Sequence, residues 1–569
     1  MSIITIGIIV GVLIYALVLF VLSKRGAAKT QGKTSEFFVA GRSVSPIVLL
    51  ATMCLTLWSA ASFYGYPSAS YRMGIGYFAY STGMFFMGAL APCILYPMWL
   101  LGKKYDYLSP VHLLTHRYGS RTLSLLCAFV FLAGSVPYIA TQFIGIANSA
   151  RVTSNGQIGF YAVVVVMTIF TFGHIIGGGN NSVVTADALA GVIGLSIVFT
   201  LTVTMAKQIL PDGSLAAGTQ LLQQTRPEAL VHSGVLEYGF QNLGVSLSAC
   251  IGTVVWPQVL IRAFMGRDPR VFKLQAVGLP LIMVTVFSCI LYEGVFLGNI
   301  AFPGLSPAES ENLLPMLVLN YMPPLFSVLV VMGSLAFGLS TCDSIAVSSS
   351  AIIHIDVMES TSEKTDKKKL YISLALFMAA VLLCVIFRPV FLITYVYSFC
   401  SPGWTQVGPA VLGGMFWKRG TKEGAFVSTF CGMAAVCYVL FINNPIPTMN
   451  PILWGLTFSI PLYIIVSLIT KPDEKRAHEV VDFLHDCLSV RNNTTYKVLW
   501  IITIVVYFWD IYGIIHIGDA SSVVFGWMPL QWALHILTAF IMATVGYFFC
   551  QNRFGPMSGV PEINFTKPY

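Results

Sequence analysis

Charge is what this chain has least of: Asp, Glu, Lys and Arg make up 10 % of its 569 residues, against about 25 % in an average soluble domain. With 56 % hydrophobic residues and a mean hydropathy of +0.78, that shortage excludes water as the main solvent and points to lipid. Paired cysteines are missing too. The twelve cysteines are scattered with no C-x-x-C spacing, which excludes a disulfide framework or a cysteine metal site. The run "GGGN" at 177–180 lacks the GK[ST] of a phosphate loop. His112, His116, His174 and His354 form no metal-ligand set and have no nucleophile beside them, so an enzyme is the least supported class. The longest stretches between apolar runs, near 207–240 and 470–496, are too short for a soluble catalytic or signalling domain. The net charge of +8 is therefore no sign of nucleic acid; what counts is where the charges fall.

What the chain does have is a succession of apolar runs. A spanning helix needs roughly 20 apolar residues, and fifteen such segments lie near 5–23, 46–66, 76–101, 121–149, 159–177, 184–206, 241–262, 275–298, 322–354, 370–388, 390–416, 421–442, 451–469, 497–516 and 529–550. The first has no basic region before it and no small-x-small cleavage signal after it, so it reads as a helix and not a signal peptide. Alternate loops carry "SKRGAAKTQGK", "GKKYD", "HRYGSR", "IRAFMGRDPRVFK", "TSEKTDKKK", "WKRGTK" and "KPDEKR", whereas those between them include the acidic "AESEN". The positive-inside rule places the basic set in the cytoplasm. Fifteen crossings of a cell membrane, N-terminus outside and C-terminus cytoplasmic, satisfy that pattern. Asp510 in "YFWDIYG" then reads as a solvated or capping residue at an outer helix end, and "HEVVDFLHDCL" (478–488) as an amphipathic helix on the inner membrane surface.

Two segments break the plain spanning pattern. In "LTLWSAASFYGYPSASYRMGIG" (55–76) Ser, Gly and Pro gather within an apolar run, and "GLSTCDSIAVSSS" (338–350) sets hydroxyls and a carboxylate in hydrocarbon. Irregular backbone at membrane depth is tolerated only where it faces protein, water or solute, and interrupted helices in matching halves mark a transporter's binding site. Counting the first segment as a prefix makes 46–66 core helix one, 184–206 core helix five, 241–262 core helix six and 322–354 core helix eight. In a five-plus-five inverted repeat, helices one and six are the discontinuous pair, and helix eight brings Ser340 and Thr341 to the unwound backbone between Leu55 and Trp58. Carbonyl and hydroxyl oxygens there suit a small hard cation. The alternative is that both hydroxyls bond back to carbonyls one turn earlier or glue neighbouring helices. Asp187 in "TADALAG" reads either as a helix-entry charge favoured by the dipole or as a relay that senses the ion and opens the inner gate. Asp343, turned away from the Thr341 face, supports packing or a polar network. Ser348, Ser349 and Ser350 read as close-packing hydroxyls. His354 and Asp356 read as an interfacial pair.

"FFVAGRSVSP" (37–46), "TLWSAASFYGYP" (56–67), "TADALAG" (185–191), "WPQVLIRAF" (256–264), "STCDS" (340–344) and "GGMFWKRGTKEGA" (413–425) together resemble the sodium:solute symporters, carriers of sugars, proline, pantothenate and monocarboxylates. The resemblance implies an all-α polytopic fold with a ten-helix inverted-repeat core at 46–416, an N-terminal peripheral helix and loop at 1–45, and peripheral helices with a short tail at 417–569. It implies a sodium ion as transported coupling ion, held by the backbone oxygens of Leu55, Trp58 and Phe337 and the hydroxyls of Ser340 and Thr341, with Asp187 in coupling and inner gating. Where several bacterial members carry an aspartate in core helix one, this chain has Leu57. Candidate substrate-lining residues are Ser59, Gln142, Trp256, Tyr395 and Tyr397. Sugar carriers resemble one another in an asparagine where this chain has Trp256, which argues against a sugar. With no arginine or lysine expected deep in a core helix, helix N-termini and the ion itself would hold an anion. The expected activity is inward sodium-coupled uptake of a small organic solute, favoured as a short monocarboxylate. The alternatives are an amino acid or vitamin-like carboxylate, proton coupling, or a solute sensor acting with a separate protein. Membrane lipid and the solute are the expected partners; nucleic acid, an organic cofactor and an obligatory protein partner are not expected.

Overall fold

Proline and polar caps decide where the apolar runs start and break. In a computed structural model, which describes residues 1–30, 32–232, 235–360, 363–387, 396–554, 563 and 565, core helix one opens with Pro46 at its first turn and ends at Leu57. There Trp58 turns extended (φ −93°, ψ 130°). Ser59, also extended, caps a new helix, Ala60–Met73, and the helices on either side of the break are bent 55°. Gly74 closes the outer half at φ +60°, a conformation that costs glycine little. Core helix six is interrupted in the same manner: Val235–Leu247 passes through a π-turn at Ser248–Gly252 to an extended Trp256, and Pro257 starts the inner half, Pro257–Met265. Both breaks expected of a discontinuous pair are thus present.

The rest is long helix. Among the described residues, twelve helices are long and apolar enough to cross a membrane, and thirteen if the bent pair counts as a span. Two of the fifteen expected segments form no separate long helix. The stretch 76–101 is divided by turns between 90 and 94 into Ala79–Ala89 and Leu95–Lys104. The stretch 390–416 begins outside the described residues and continues as Ser401–Thr405 and Gly408–Phe416, because Pro402 and Pro409 each start a new helical turn. Strand structure is limited, among the described residues, to a short antiparallel pair, Val523–Val524 with Met528–Pro529.

Core helix eight, Pro324–Ala351, lies between core helices three (Arg121–Thr153), four (Phe160–Gly178) and five (Asn180–Ile209). Small residues set the distances, as membrane packing favours. At Gly194 of helix five a Cβ would stand 2.4 Å from the Phe337 ring. Two peripheral expectations change. Asp510 is no solvated cap: it is buried, accepting from Thr82 and, at 2.9 Å, from His535, because the last helix, Leu530–Phe554, packs onto Ala79–Ala89 and places His535 beside it. The amphipathic helix spans Glu474–Cys487 and docks on protein: Arg476 donates to the His116 carbonyl at 2.7 Å, and the Tyr105 hydroxyl to the Glu479 carbonyl at 2.7 Å.

The tightest glycine contact tests this packing. At Gly294, in the π-turn that ends core helix seven (Arg270–Tyr292 with Glu293–Gly298), a Cβ would stand 2.1 Å from the Pro67 carbonyl oxygen. Gly294→Ala is expected to cost about 1–3 kcal/mol, read as a lowered thermal midpoint in detergent. Gly173→Ala, with nothing within 4 Å, should leave the midpoint unchanged.

Candidate functional site

The break in core helix one leaves its last carbonyls outside the helical ladder, and core helix eight delivers a hydroxyl among them. Thr341 Oγ1 lies 2.9 Å from the Trp58 carbonyl oxygen, 3.1 Å from that of Phe337 and 3.3 Å from that of Leu55. One hydroxyl has one proton, so three carbonyls converge on a group that satisfies one of them. The surplus is a concentration of neutral oxygen with negative partial charge. Leu55, Trp58, Phe337 and Thr341 of the expected cation set are therefore brought together. Ser340 is placed differently: its hydroxyl donates to Asp187 Oδ1 at 2.6 Å and faces the neighbouring carboxylate. Among the described residues no three His, Cys, Asp or Glu side chains gather as a metal site.

Asp187 does not sit at a helix entry. It lies two turns inside Asn180–Ile209 and is 1 % exposed. Its Oδ2 takes a bond from Thr52 and, at 2.8 Å, one from Arg262 Nη2. Arg262 is itself 0 % exposed; its Nε donates to the Thr52 hydroxyl at 3.1 Å and its Nη2 to the Ser344 hydroxyl at 2.6 Å. The expectation that no cationic side chain lies deep in a core helix is thus corrected. Arg262 belongs to the basic run "IRAFMGRDPRVFK" in sequence, but the helix after Pro257 continues to Met265 and carries Arg262 inward. A buried ion pair whose carboxylate accepts three hydrogen bonds joins core helices one, five, six and eight, directly beside the Thr341 cluster.

The candidate substrate-lining residues divide. Ser59 is occupied as the cap of Ala60–Met73, accepting from the Ser62 N–H at 3.0 Å. Gln142 of core helix three accepts from the Ala61 N–H at 3.2 Å, so it braces the same break. Trp256 donates to Ser401 at 3.1 Å and packs against Tyr138 and Trp404 at 5.7 and 5.4 Å between ring centres. Tyr397 bonds Tyr80 and, with Arg72, Tyr77 and Asn242, lines a cavity of about 580 Å³. Tyr395 lies outside the described residues.

Two polar contacts escaped sequence reasoning. Asp343 meets His174 of core helix four at 2.5 Å, both buried; His174 offered no signal because its partner is 169 positions away. His354 and Asp356 form no pair: Asp356 bonds Ser109, and both His354 ring nitrogens are buried without a partner. Two residues apart on a helical turn, they face different ways. In the hydroxyl run, Ser348 and Ser350 bond back to the carbonyls of Ile345 and Val347, each at 2.9 Å.

Residues 37–432 match the model of the sodium:solute symporter family. The chain is 23 % identical to the sodium/pantothenate symporter of Haemophilus influenzae over 81 % of this chain and 96 % of that protein. It is 21 % identical to the monocarboxylic acid transporter of Corynebacterium glutamicum over 78 % of this chain and 88 % of the relative. A solved Na⁺-coupled sialic acid symporter superposes with a TM-score of 0.68 at 15 % identity, covering 83 % of this chain and 98 % of that one. That likeness shows the fold: an all-α polytopic membrane architecture of the inverted-repeat transporter type, with discontinuous helices.

Breaking the ion pair from one side is expected to be costly. Arg262→Leu leaves a buried carboxylate without its cation, a loss of about 3–5 kcal/mol, and the double change Arg262→Leu with Asp187→Asn should recover a large part of it. Thermal midpoints of the two variants in detergent check this; equal losses for the single and double variants would contradict it.

Proposed function

The chain belongs to the sodium:solute symporter family, and on that premise we propose that it is a sodium-driven importer of small monocarboxylates, with Thr341 and the helix-one break as its cation site. Membership places it among membrane transporters and not enzymes, with sodium-coupled secondary transport of a small organic solute as its general activity. The observation that carries the finer reading is the three-carbonyl convergence on Thr341 beside the Asp187–Arg262 pair. A sodium ion held by the carbonyl oxygens of Leu55, Trp58 and Phe337 and the Thr341 hydroxyl ties core helix one to core helix eight. Ser340 stands next to that ion with its hydroxyl on Asp187, so a small rotation moves it from carboxylate to cation. The ion then shifts the balance between conformations by favouring the one in which these helices are joined. Its departure frees Pro46–Leu57, which Thr52 also links to Arg262, and the inner side can open.

A carboxylate substrate suits the electrostatics. None of the ion's four proposed ligands is charged, so an anion bound close by gains from the uncompensated positive charge in a low-dielectric site. The bulky Trp256, with its indole N–H already committed to Ser401, leaves few hydrogen-bonding groups for a sugar. The monocarboxylic acid transporter relative supports a short acid. The pantothenate symporter relative, with its greater coverage, favours a second reading, a vitamin-like acid with one carboxylate. The N-terminus is proposed to lie outside and the C-terminus in the cytoplasm, on the strength of the basic loops.

In proteoliposomes with an inward sodium gradient, uptake is expected for short monocarboxylates and not for hexoses or neutral amino acids; uptake confined to hexoses would overturn the substrate reading. Changing Ser340 and Thr341 together to Ala should raise the sodium concentration for half-maximal uptake by about tenfold, the loss of roughly one charge-assisted contact. An unchanged sodium dependence would exclude this cation site, and uptake driven by a proton gradient alone would identify another coupling ion.

A further inference from the structure

Each discontinuous helix presents a fresh helix N-terminus at its break, and the two are finished differently. The outer half of core helix one is served by the protein: Ser59 Oγ takes the Ser62 N–H at 3.0 Å, Gln142 Oε1 the Ala61 N–H at 3.2 Å, and the Ser59 carbonyl the Phe63 N–H at 2.9 Å. The inner half of core helix six, nine residues from Pro257 to Met265, follows an extended Trp256 with no side-chain cap; Pro257 has no N–H and the Trp256 carbonyl takes the Val259 and Leu260 N–H groups at 3.0 Å each, so the backbone donor left at this start is that of Gln258. Its second residue, Gln258, is 0 % exposed, and neither its amide oxygen nor its amide nitrogen has a partner. One turn further along the same face, Arg262 keeps Nη1 buried and unpartnered while its other nitrogens hold Thr52, Asp187 and Ser344.

Those contacts also locate Gln258. Arg262 stands level with Thr52 of core helix one and Ser344 of core helix eight. One turn toward the breaks, the three helices carry Gln258, Thr56 and Thr341. The unpartnered amide therefore lies on the break side of Arg262, toward the Thr341 cluster. At membrane depth a polar group without a partner is costly and rare, and an uncapped helix start favours an anion. The amide sets a donor and an acceptor side by side. An unsubstituted carboxylate offers acceptors only and leaves the Gln258 oxygen unpaired, whereas a carboxylate bearing a neighbouring hydroxyl satisfies both.

We propose that Gln258 and the uncapped start of the inner half of core helix six hold the carboxylate end of the substrate, and that the preferred substrates are hydroxy monocarboxylates. This rests on the carboxylate reading above. In it, the Gln258 amide nitrogen and the helix start face the carboxylate, Arg262 Nη1 adds positive charge from one turn below, and the Gln258 oxygen accepts from the substrate hydroxyl. A site built to pair with a hydroxyl rejects the analogue that lacks it.

The test is sodium-driven uptake of radiolabelled lactate and propionate by the full-length protein in proteoliposomes. Wild type is expected to favour lactate in kcat/KM by about tenfold or more, a ratio that needs no variant. Gln258→Leu should bring lactate down to the propionate level with the sodium dependence of the remaining uptake unchanged. Equal handling of the two acids by wild type, or a Gln258→Leu protein that keeps its lactate preference, overturns this assignment while leaving carboxylate transport standing. Refusal of both acids overturns it as well; the carboxylate reading falls only if the other acids of the panel are refused too.

Discussion

Four helices meet on one carboxylate. Asp187 receives Thr52 from core helix one, Arg262 from core helix six and Ser340 from core helix eight, and is itself part of core helix five. Removing two charges from water costs more than their attraction returns unless the remaining lone pairs and protons are also engaged. Here Ser344 and the Thr52 hydroxyl accept from the guanidinium and the Ser340 hydroxyl donates to the far carboxylate oxygen, which leaves Nη1 as the guanidinium nitrogen without a partner. Such a pair adds little stability over apolar packing; what it supplies is registry. It fixes which turn of each helix faces which, and so places the carbonyls of the helix-one break around Thr341.

That registry would give the proposed cation site its leverage. Three carbonyls and one hydroxyl form a weak junction on their own, since the hydroxyl proton serves one acceptor at a time. A cation at that point engages all four oxygens and converts a frustrated contact between core helices one and eight into a firm one. In the proposed mechanism the adjacent Ser340–Asp187 bond, with Arg262 on the same carboxylate, would carry the change to core helices five and six without any long-range pathway. The two breaks are finished differently: the outer half of helix one is capped by Ser59 and Gln142, and the inner half of helix six, which has no side-chain cap, is the one proposed to receive an anion.

Much of this was legible in sequence, for physical reasons. Backbone interruptions at membrane depth need Ser, Gly or Pro, so the helix-one break stood out between Leu55 and Gly76, and the hydroxyl pair Ser340–Thr341 stood out against hydrocarbon. Arg262 did not. Charge sorting assigned it to a cytoplasmic loop, because nothing local shows that the helix started by Pro257 runs on past it; a clue was the i, i+4 spacing that puts Gln258 and Arg262 on one face. The partnerships of Asp343 with His174 and of Asp510 with His535 were hidden by sequence distance and by helix packing that only the fold determines. The apolar run at 76–101 did not show in sequence that short helices joined by turns divide it, as at 79–104.

In the proposed mechanism a sodium ion at Thr341 joins core helix one to core helix eight. Hydrogen exchange of the backbone amides of Pro46–Leu57, followed in detergent with sodium chloride and with choline chloride at equal ionic strength, tests it most directly. Sodium should slow exchange across Pro46–Leu57 in the wild type and have no such effect in Thr341→Ala. Exchange that is indifferent to sodium in the wild type, or slowed equally in the variant, would contradict it.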